Sequence, residues 1–435
     1  MPELLESLGN AVLNLLTQPY YYISVICIAF IYRRQVLLER KLLHGKLHNW
    51  ITETWRTVWT GLAVGLLVSL AGVALGISLS GTAVSLIWAV TVILLLIRVR
   101  YLCFACSIGV LGVIQVVLSW FPESVAKGSL GEVLTALREM DIPALLVLAT
   151  VLHLVEALLL RWNGARQASP LYLEGKRGKV VGGYQLQNFW PLPLFLLIPQ
   201  GAGIGELPWH PLLGGGLGLV SLPVIIGFSG MTQSMLPRRK AARTSGRLLV
   251  YSAVLLGLSM LAAWWSPLTL LASLAAVGLH EGLAWYSALE ERQSSPFFVH
   301  PQHGLMVLAV LPGSPAQEMG ILPGEIVLKV NGVLLTRKAQ LHEALRMNPA
   351  FCKLEVQNAA GESKYLQRAI YDGDHHELGM ILAPDIDEPQ SIRAYPSTLY
   401  GMPKLKTGTA GKVVNPDTPT AAFPTRSKSA ESAKG

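Results

Sequence analysis

The segment VLPGSPAQEMGILPGEIVLKVNG, residues 310–332, decides how the last third of this 435-residue chain folds. Its apolar residues come in short runs separated by Pro-Gly and Asn-Gly dipeptides, which mark turns between strands. An apolar, β-rich run over 304–311 leads into it, and Ile326, Leu328 and Val330 are predicted to share one face of a strand. The segment therefore predicts a small water-soluble α+β unit.

The residues that follow complete this unit. Apolar residues at helical spacing predict a helix over 337–348, and 352–370 has the pattern of a hairpin that turns near Gly361. The whole stretch resembles bacterial PDZ domains, whose core motif joins a strand, Ser-Pro-Ala, Pro-Gly-Asp/Glu and Val-Asn-Gly. The resemblance covers 297–385, and it departs from the usual motif at Glu325, where Asp is more common.

The PDZ resemblance implies a peptide-binding site. A PDZ domain takes a peptide C-terminus as an added strand and captures its carboxylate with backbone amides. The resemblance places this site in an x-Leu-Gly-apolar loop, at the end of the unit, which implies a circularly permuted arrangement. The predicted peptide-binding residues are Glu377, Leu378, Gly379, Met380, Ile381 and Leu382. The loop 303–307 is a competing candidate, and 378–382 could also form only a closing strand.

The rest of the chain has the composition of a membrane protein. It is 51% hydrophobic and 14% charged, with a mean hydropathy of +0.44, whereas soluble proteins are about 25% charged. Because a helix needs about 20 apolar residues to cross a bilayer, nine candidate spans are predicted. They are 12–31, 58–80, 83–97, 102–121, 142–160, 189–204, 212–232, 248–265 and 268–289. The third and sixth are short, so eight is the alternative count.

The predicted fold class is thus an α-helical polytopic membrane bundle of 8–9 spans, followed by a small α+β PDZ domain. The bundle occupies 1–290, and the PDZ domain occupies 297–385. A tail over 386–435 is predicted to be disordered, because it has too few apolar residues to form a core. Within the bundle, the four-residue spacing of Gly61 and Gly65 predicts close packing between helices.

Loop charges predict the orientation. Alternate loops along the nine spans hold 18 Lys and Arg residues, whereas the N-terminus and the opposite loops hold only Lys127 and Arg138. Basic loops stay in the cytoplasm, so the N-terminus is predicted outside and the chain after about residue 290 in the cytoplasm. The net charge of +8 is then explained by topology, and the predicted partner is the lipid bilayer, with no nucleic acid.

Several reactive residues in the apolar part raise the hypothesis that the protein is an intramembrane protease. The segment 280–284 begins like a zinc-protease motif but has Ala284 where the second His is required. The segment 188–193 is similar to the Asn-Pro element of site-2-type proteases, yet no span supplies their aspartate. Ser229 and His280 match a rhomboid-like dyad, but the predicted helices place them roughly 8 Å apart in depth. No catalytic residue is therefore predicted.

The remaining ionisable and sulfur groups are interpreted as packing elements. A contact between a His and a Glu is predicted to join the fifth and ninth spans, through His153, Glu156, His280 and Glu281. Cys103 and Cys106 form a lone C-x-x-C, and the four cysteines make no disulfide framework. Apolar packing is predicted for this pair. No metal and no cofactor are predicted.

As a whole the chain resembles the MinJ-type topological determinants of cell division in rod-shaped Gram-positive bacteria. The order of bundle, PDZ domain and tail carries the resemblance, together with YRRQVLLERKL at 32–42 and HHELGMILAPD at 375–385. It implies a non-enzymatic scaffold at septum and poles that bridges DivIVA-like and MinD-like proteins and restricts FtsZ assembly to mid-cell. Homo-oligomerisation stays open. The alternatives are an intramembrane protease, a substrate-presenting protease subunit, or a transport component.

Overall fold

The computed structural model describes residues 9, 12–13, 15–17, 19–43, 47–98, 101–122, 128–175, 179–197, 219–371, 378–385, 390–392 and 405–407. The helices of the apolar part are α1 (Pro19–Leu43), α2 (Trp50–Ala74), α3 (Gly81–Ile97), α4 (Phe104–Ser119), α5 (Ser129–Glu139), α6 (Ile142–Asn163), α7 (Pro237–Trp264) and α8 (Leu268–Gln293). Within the described ranges, five of them (α1, α2, α6, α7 and α8) are long and apolar enough to cross a membrane, whereas α3 and α4 are apolar but shorter. The predicted count of 8–9 spans is not confirmed.

Two predicted spans, 189–204 and 212–232, are wrong as helices wherever the structure describes them. That part of the chain forms an antiparallel sheet from β1 (Ser169–Glu174), β2 (Val180–Leu197) and β3 (Leu219–Thr232). Pro191 and Pro193 lie in β2 and would break a helix interior. Most of β2 is buried, so its apolar residues form a continuous run without the alternation of a half-exposed strand. For this reason the sequence pattern did not indicate strands here.

The hairpin lies inside the helix bundle, with one edge of β2 along α2. A strand edge in an apolar environment has no water for its backbone groups, so each needs a partner in the protein. The N–H of Phe189 donates to the Tyr32 hydroxyl at 3.2 Å, and the N–H of Phe195 donates to the Ser69 hydroxyl at 2.8 Å. The two alternate residues between them are the prolines of β2, which have no N–H to satisfy.

The glycines of α2 let the helix approach this edge. A Cβ atom on Gly61 would overlap the Pro191 carbonyl oxygen, and one on Gly65 would lie 2.6 Å from the Pro193 oxygen. Their spacing was predicted to serve helix–helix packing. That prediction is wrong, because these glycines pack a helix against a strand.

The C-terminal unit is a second sheet with two helices. Its elements are β4 (Leu305–Val310), α9 (Pro315–Glu318), β5 (Ile326–Val330), β6 (Val333–Leu334), α10 (Lys338–Met347), β7 (Phe351–Gln357), β8 (Ser363–Ala369) and β9 (Met380–Leu382). The strand order is β8-β7-β5-β4-β9, with β6 paired to β5. The predicted helix and the hairpin turning near Gly361 are confirmed. Glu325, which departs from the motif, accepts a hydrogen bond from the Leu322 N–H and pairs with Lys364.

One prediction for β5 is wrong. Ile326, Leu328 and Val330 were expected on one face, but the buried residues are Val327 and Val330. The ladder between β5 and β7 shifts register after Val327. Such a bulge places one extra residue in the strand and exchanges the faces beyond it.

The two sheets meet in a shared apolar cluster. Phe298 is fully buried there, and its carbonyl oxygen accepts a hydrogen bond from the Gly182 N–H at 2.8 Å. The hydroxyl of Tyr184, on β2, donates to the Leu308 carbonyl oxygen on β4. Two short strands from the predicted tail, β10 (Gln390–Ile392) and β11 (Leu405–Thr407), extend the first sheet beside β1.

Candidate functional site

Sheet topology distinguishes the two candidate peptide-binding loops. The loop 303–307 leads into β4, which is paired with β5 on one side and β9 on the other. The loop ending at Gly379 leads into β9, the terminal strand of this described sheet. A peptide can add a strand only where a sheet has an unpaired edge. The geometry therefore favours β9.

The turn before β9 has an unusual backbone. Leu378 and Gly379 both have positive φ angles, 55° and 78°, and such a conformation is uncommon for leucine. Two hydrogen bonds hold it. The Ala316 N–H donates to the Leu378 oxygen at 2.9 Å, and the Leu311 N–H donates to the Gly379 oxygen at 2.8 Å. Turns in which successive amides converge form concavities that bind anions, such as a peptide carboxylate.

The predicted peptide-binding residues on β9 belong to two different buried clusters. Met380 and Leu382 belong to the core of the C-terminal unit, and Ile381 packs in the cluster between the two sheets. All three residues are buried. Because their exposed fractions include the backbone, a ligand could pair with the edge of β9 only after the groups that cover it move aside. Glu377, the remaining predicted residue, lies outside the described residues.

The second wall of the candidate groove is α10. Lys338 begins this helix, and His342 follows it by four residues, so both lie on the same face. The backbone N–H of Lys338 donates to a carboxylate oxygen of Asp385 at 3.4 Å, just beyond β9. The groove thus lies between the start of α10 and the outer edge of β9.

A residue from the other sheet closes one end of this groove. The hydroxyl of Tyr172, on β1, donates to the Leu382 carbonyl oxygen at 3.0 Å, and the Lys338 ammonium lies 5.1 Å from the Tyr172 ring centre. The Gly379 oxygen accepts from Leu311, just after β4, and the Ala383 N–H donates to Met306 in β4, so by alternation the Leu382 oxygen is on the outer edge of β9. No sequence pattern indicates this contact, because 210 residues separate its partners.

The structure does not assemble the rhomboid-like dyad from the sequence candidates. Ser229 is on β3 opposite Gln187. His280 instead packs against His153 and Tyr251, with ring centres 5.8 and 6.0 Å apart. The helical depth argument for Ser229 no longer applies, since the residue is in a strand.

The other sequence candidates also have structural positions. The Asn188 side chain, in the Asn-Pro segment, donates to the Gly164 carbonyl oxygen at 3.1 Å and helps to hold β2. The predicted contact of a His and a Glu was to join two helices. Among the described residues, His153 and Glu156 form a pair at 4.0 Å within α6, the rings of His153 and His280 pack between α6 and α8, and Glu156 also interacts electrostatically with His280 across these helices.

Comparisons with known proteins match both halves of the chain. Residues 306–358 match the PDZ domain family. The cell division topological determinant MinJ of Bacillus subtilis (strain 168) is 28% identical over 403 residues, which cover 90% of this chain and 97% of that protein. The probable cell division topological determinant MinJ of Lacticaseibacillus paracasei is 28% identical over 362 residues, covering 80% and 90%. The similarity therefore extends through the apolar part as well as the PDZ domain.

Proposed function

We propose that this chain, a MinJ-type protein as its sequence predicted, is a non-enzymatic scaffold that recruits division-site proteins through its PDZ domain. The terminal strand β9 carries the proposal, because it ends the sheet directly after the turn at Leu378 and Gly379. The recruited partners are DivIVA-like and MinD-like proteins at the septum and poles. The similar proteins are named as topological determinants, and a scaffold needs no catalytic residue.

The proposed topology places the PDZ domain on the cytoplasmic face of the cell membrane. The distribution of 18 basic residues against two supports this orientation. The predicted orientation is the same when a hairpin replaces two predicted spans, because a hairpin, like a pair of spans, returns the chain to the side of the membrane on which it began. Holding many PDZ domains at one surface raises their effective concentration, so weak contacts with peptides add up to firm recruitment. Self-association of the chain would strengthen this effect.

The proposed binding mode is strand addition at β9. The C-terminal carboxylate of a partner binds at the turn around Gly379, and its backbone pairs with the outer edge of β9. Pairing beyond Met380 requires the Tyr172 hydroxyl to leave the Leu382 oxygen. Replacing Tyr172 by Phe should therefore strengthen binding of a partner peptide by a few-fold, measured by titration of the purified protein. Unchanged affinity would show that the peptide does not reach this end.

A pair of substitutions on α10 tests the groove. Gly379 is unsuitable, because a Cβ there would overlap Ser314 and distort the turn. His342 is half-buried on the face of Lys338, whereas its neighbour Glu343 is exposed. His342→Trp should fill the groove and abolish recruitment of fluorescent DivIVA-like and MinD-like proteins. Glu343→Trp should leave recruitment intact. Normal recruitment by His342→Trp, at normal membrane levels, would contradict the proposal.

Cell biology separates the scaffold from the enzyme reading. A fluorescent fusion should concentrate at septum and poles, and deletion of the protein should give filaments or minicells. Ser229→Ala should leave division intact, because a scaffold does not use a nucleophile. A diffuse membrane signal with normal division would count against the scaffold. Loss of function in Ser229→Ala, at normal protein level, would favour a protease.

A further inference from the structure

Four metal-ligating side chains meet inside the helix bundle. Cys103 caps the N-terminus of α4 and Cys106 lies in its first turn, while His153 comes from α6 and His280 from α8. The Cys103 sulfur is 3.2 Å from His153 Nε2, and the Cys106 sulfur is 3.8 Å from His280 Nδ1. The ligand atoms of Cys103, Cys106 and His280 all lie within 4.8 Å of one another. Both cysteines are free thiols.

We propose that these four side chains bind one zinc ion in a tetrahedral Cys2His2 site. Zinc lies about 2.3 Å from sulfur and about 2.0–2.1 Å from nitrogen. In a tetrahedron these bond lengths place neighbouring sulfur and nitrogen ligands about 3.5 Å apart. The two sulfur–nitrogen distances, 3.2 and 3.8 Å, lie on either side of that value. Cys103, Cys106 and His280 already form a close group, and closure of the tetrahedron around the ion would draw the ligands together by about an ångström, with His153 entering as the fourth.

The groups around the site orient its ligands. His153 Nδ1 contacts the Ala149 carbonyl oxygen at 2.8 Å, and because only a protonated nitrogen can donate there, Nε2 presents its lone pair to the site. Metal-binding histidines commonly have this second hydrogen bond. The Tyr251 hydroxyl donates to the Ala276 oxygen, and its ring packs edge-on against His153 at 5.1 Å. An aromatic wall therefore closes the site on one side.

Charge explains why zinc suits an apolar bundle. Net charge inside a membrane protein is costly and is usually neutralised by a partner. Two thiolates and one Zn²⁺ sum to zero, and the two imidazoles are neutral ligands. Sulfur and imidazole ligands also favour zinc over magnesium or calcium, which prefer oxygen. The predicted apolar packing of the C-x-x-C does not account for two histidines aimed at its sulfurs.

The site would join three helices that are distant in sequence. Its ligands come from α4, α6 and α8, and α8 ends shortly before β4 begins the PDZ domain. Zinc would hold these helices together, and its binding energy would contribute to folding of the bundle. The role is structural, so it adds to the scaffold function without depending on the PDZ groove.

Metal analysis of the full-length protein in mild detergent tests the proposal. Protein purified with a reductant and without chelators should contain one zinc per chain by plasma mass spectrometry. Co²⁺ exchanged into the protein should show tetrahedral d–d bands and a thiolate charge-transfer band. Wild-type protein that binds neither Zn²⁺ nor Co²⁺, or that binds only Cu⁺, would overturn the assignment.

Variants identify the ligands. The double variant C103S/C106S should lose the metal and the charge-transfer band, whereas Cys27→Ser, at an exposed cysteine of α1, should keep both. Glu156→Gln should also keep the metal, although its carboxylate lies 4.0 Å from His153 Nε2. Metal retained by C103S/C106S, or lost in Glu156→Gln, would overturn the Cys2His2 ligand set. Gel filtration of each variant separates metal loss from misfolding.

Discussion

The described residues form two sheets, one of them with a parallel pair between β1 and β10, and the two sheets differ in how their edges are closed. In the PDZ domain, the edge of β9 is the terminal edge of the sheet and is the candidate surface for a peptide. In the bundle, the edge of β2 that faces α2 has its N–H groups bonded to Tyr32 and Ser69 or removed by proline. The β9 edge is covered by contacts that include the Tyr172 hydroxyl, which a peptide could replace, whereas the backbone of β2 has no alternative partner in an apolar bundle. The difference shows that environment decides whether an edge must be closed.

The described turns of the PDZ sheet are specified by local residues. The β5–β6 turn has positive φ angles at Asn331 and Gly332, and Gly361 has one in the β7–β8 turn. These are residues that tolerate such angles, so the turns can be recognised from sequence. The bundle hairpin depends on contacts with α1 and α2. Its strands are therefore expected to be more sensitive to changes in distant helices than the PDZ strands are.

The largest expected effect is at the contact between α2 and β2. Replacing both Gly61 and Gly65 by Ala forces methyl groups against backbone oxygens. Overpacking of this kind costs about 1–3 kcal/mol per site. The free energy of unfolding, measured by SDS titration in detergent micelles, should fall by the sum of the costs at Gly61 and Gly65.

A matched control for these substitutions lies on α7. Nothing lies within 4 Å of the Cβ position of Gly257, so Gly257→Ala should leave stability unchanged or raise it by up to about 1 kcal/mol. Equal stability of the Gly61/Gly65 double variant and the Gly257 variant would contradict the close approach of α2 to β2.

A smaller effect is expected from the hydroxyl that closes the β2 edge. Tyr32→Phe removes the acceptor for the Phe189 N–H and leaves that group unsatisfied in an apolar interior. The expected loss is about 1–3 kcal/mol in the free energy of unfolding, by the same titration. Tyr22→Phe, at an exposed tyrosine of α1, should have no effect. A harmless Tyr32→Phe would mean that the edge is satisfied in another way.

In the PDZ domain, the corresponding test is the β5–β6 turn. The Asn331 side chain donates to the Ala344 oxygen and accepts from the Lys353 N–H, both at 2.9 Å. Asn331→Gly preserves the positive φ angle but loses both bonds. The expected cost is about 1–2 kcal/mol, seen in thermal unfolding of the full-length protein. If Asn331→Gly were as stable as the wild type, the positive φ angle of the turn, and not the two side-chain hydrogen bonds, would account for the stability of this region.

The smallest effect is a pH dependence at the connection between α1 and α2. Burial alone would lower the pKa of His48, but its hydrogen bond to Glu39 and the charge of that carboxylate outweigh burial and raise the pKa. The stabilisation is then fully present below the unfolded pKa of about 6.5, and it is lost as pH rises through the raised folded pKa. The melting temperature should fall over that window in wild type. It should not fall in Glu39→Gln.

Much of the PDZ domain could be predicted from sequence. Its helix, Lys338–Met347, and its hairpin at Gly361 follow from local spacing and from the family resemblance, whereas its peptide-binding loop stays a prediction. The bulge in β5 could not be predicted, because a one-residue register shift leaves no mark in a five-residue strand. The closure of the groove by Tyr172 could not be predicted either, since β1 and β9 are far apart in the chain.

The hairpin escaped prediction for a different reason. Replacing two helices by two strands preserves the alternation of loop charges, so the distribution of 18 basic residues against two fits either arrangement. Pro191 and Pro193 were the available signal, because proline disfavours a helix interior, yet the segment was interpreted as a short helical span. Likewise, the C-x-x-C at Cys103 and Cys106 looked incomplete because its two histidines come from other helices.

By itself, the sequence determined that this protein has apolar membrane-spanning helices, basic loops and a PDZ domain, because hydropathy, charge and turn residues are local properties. Tertiary structure decided which apolar runs are helices and which are strands, since both bury the same residues in an apolar interior. It also decided which strand ends the PDZ sheet and which cysteines and histidines meet. These outcomes depend on backbone hydrogen bonds and on contacts between residues that are distant in the chain.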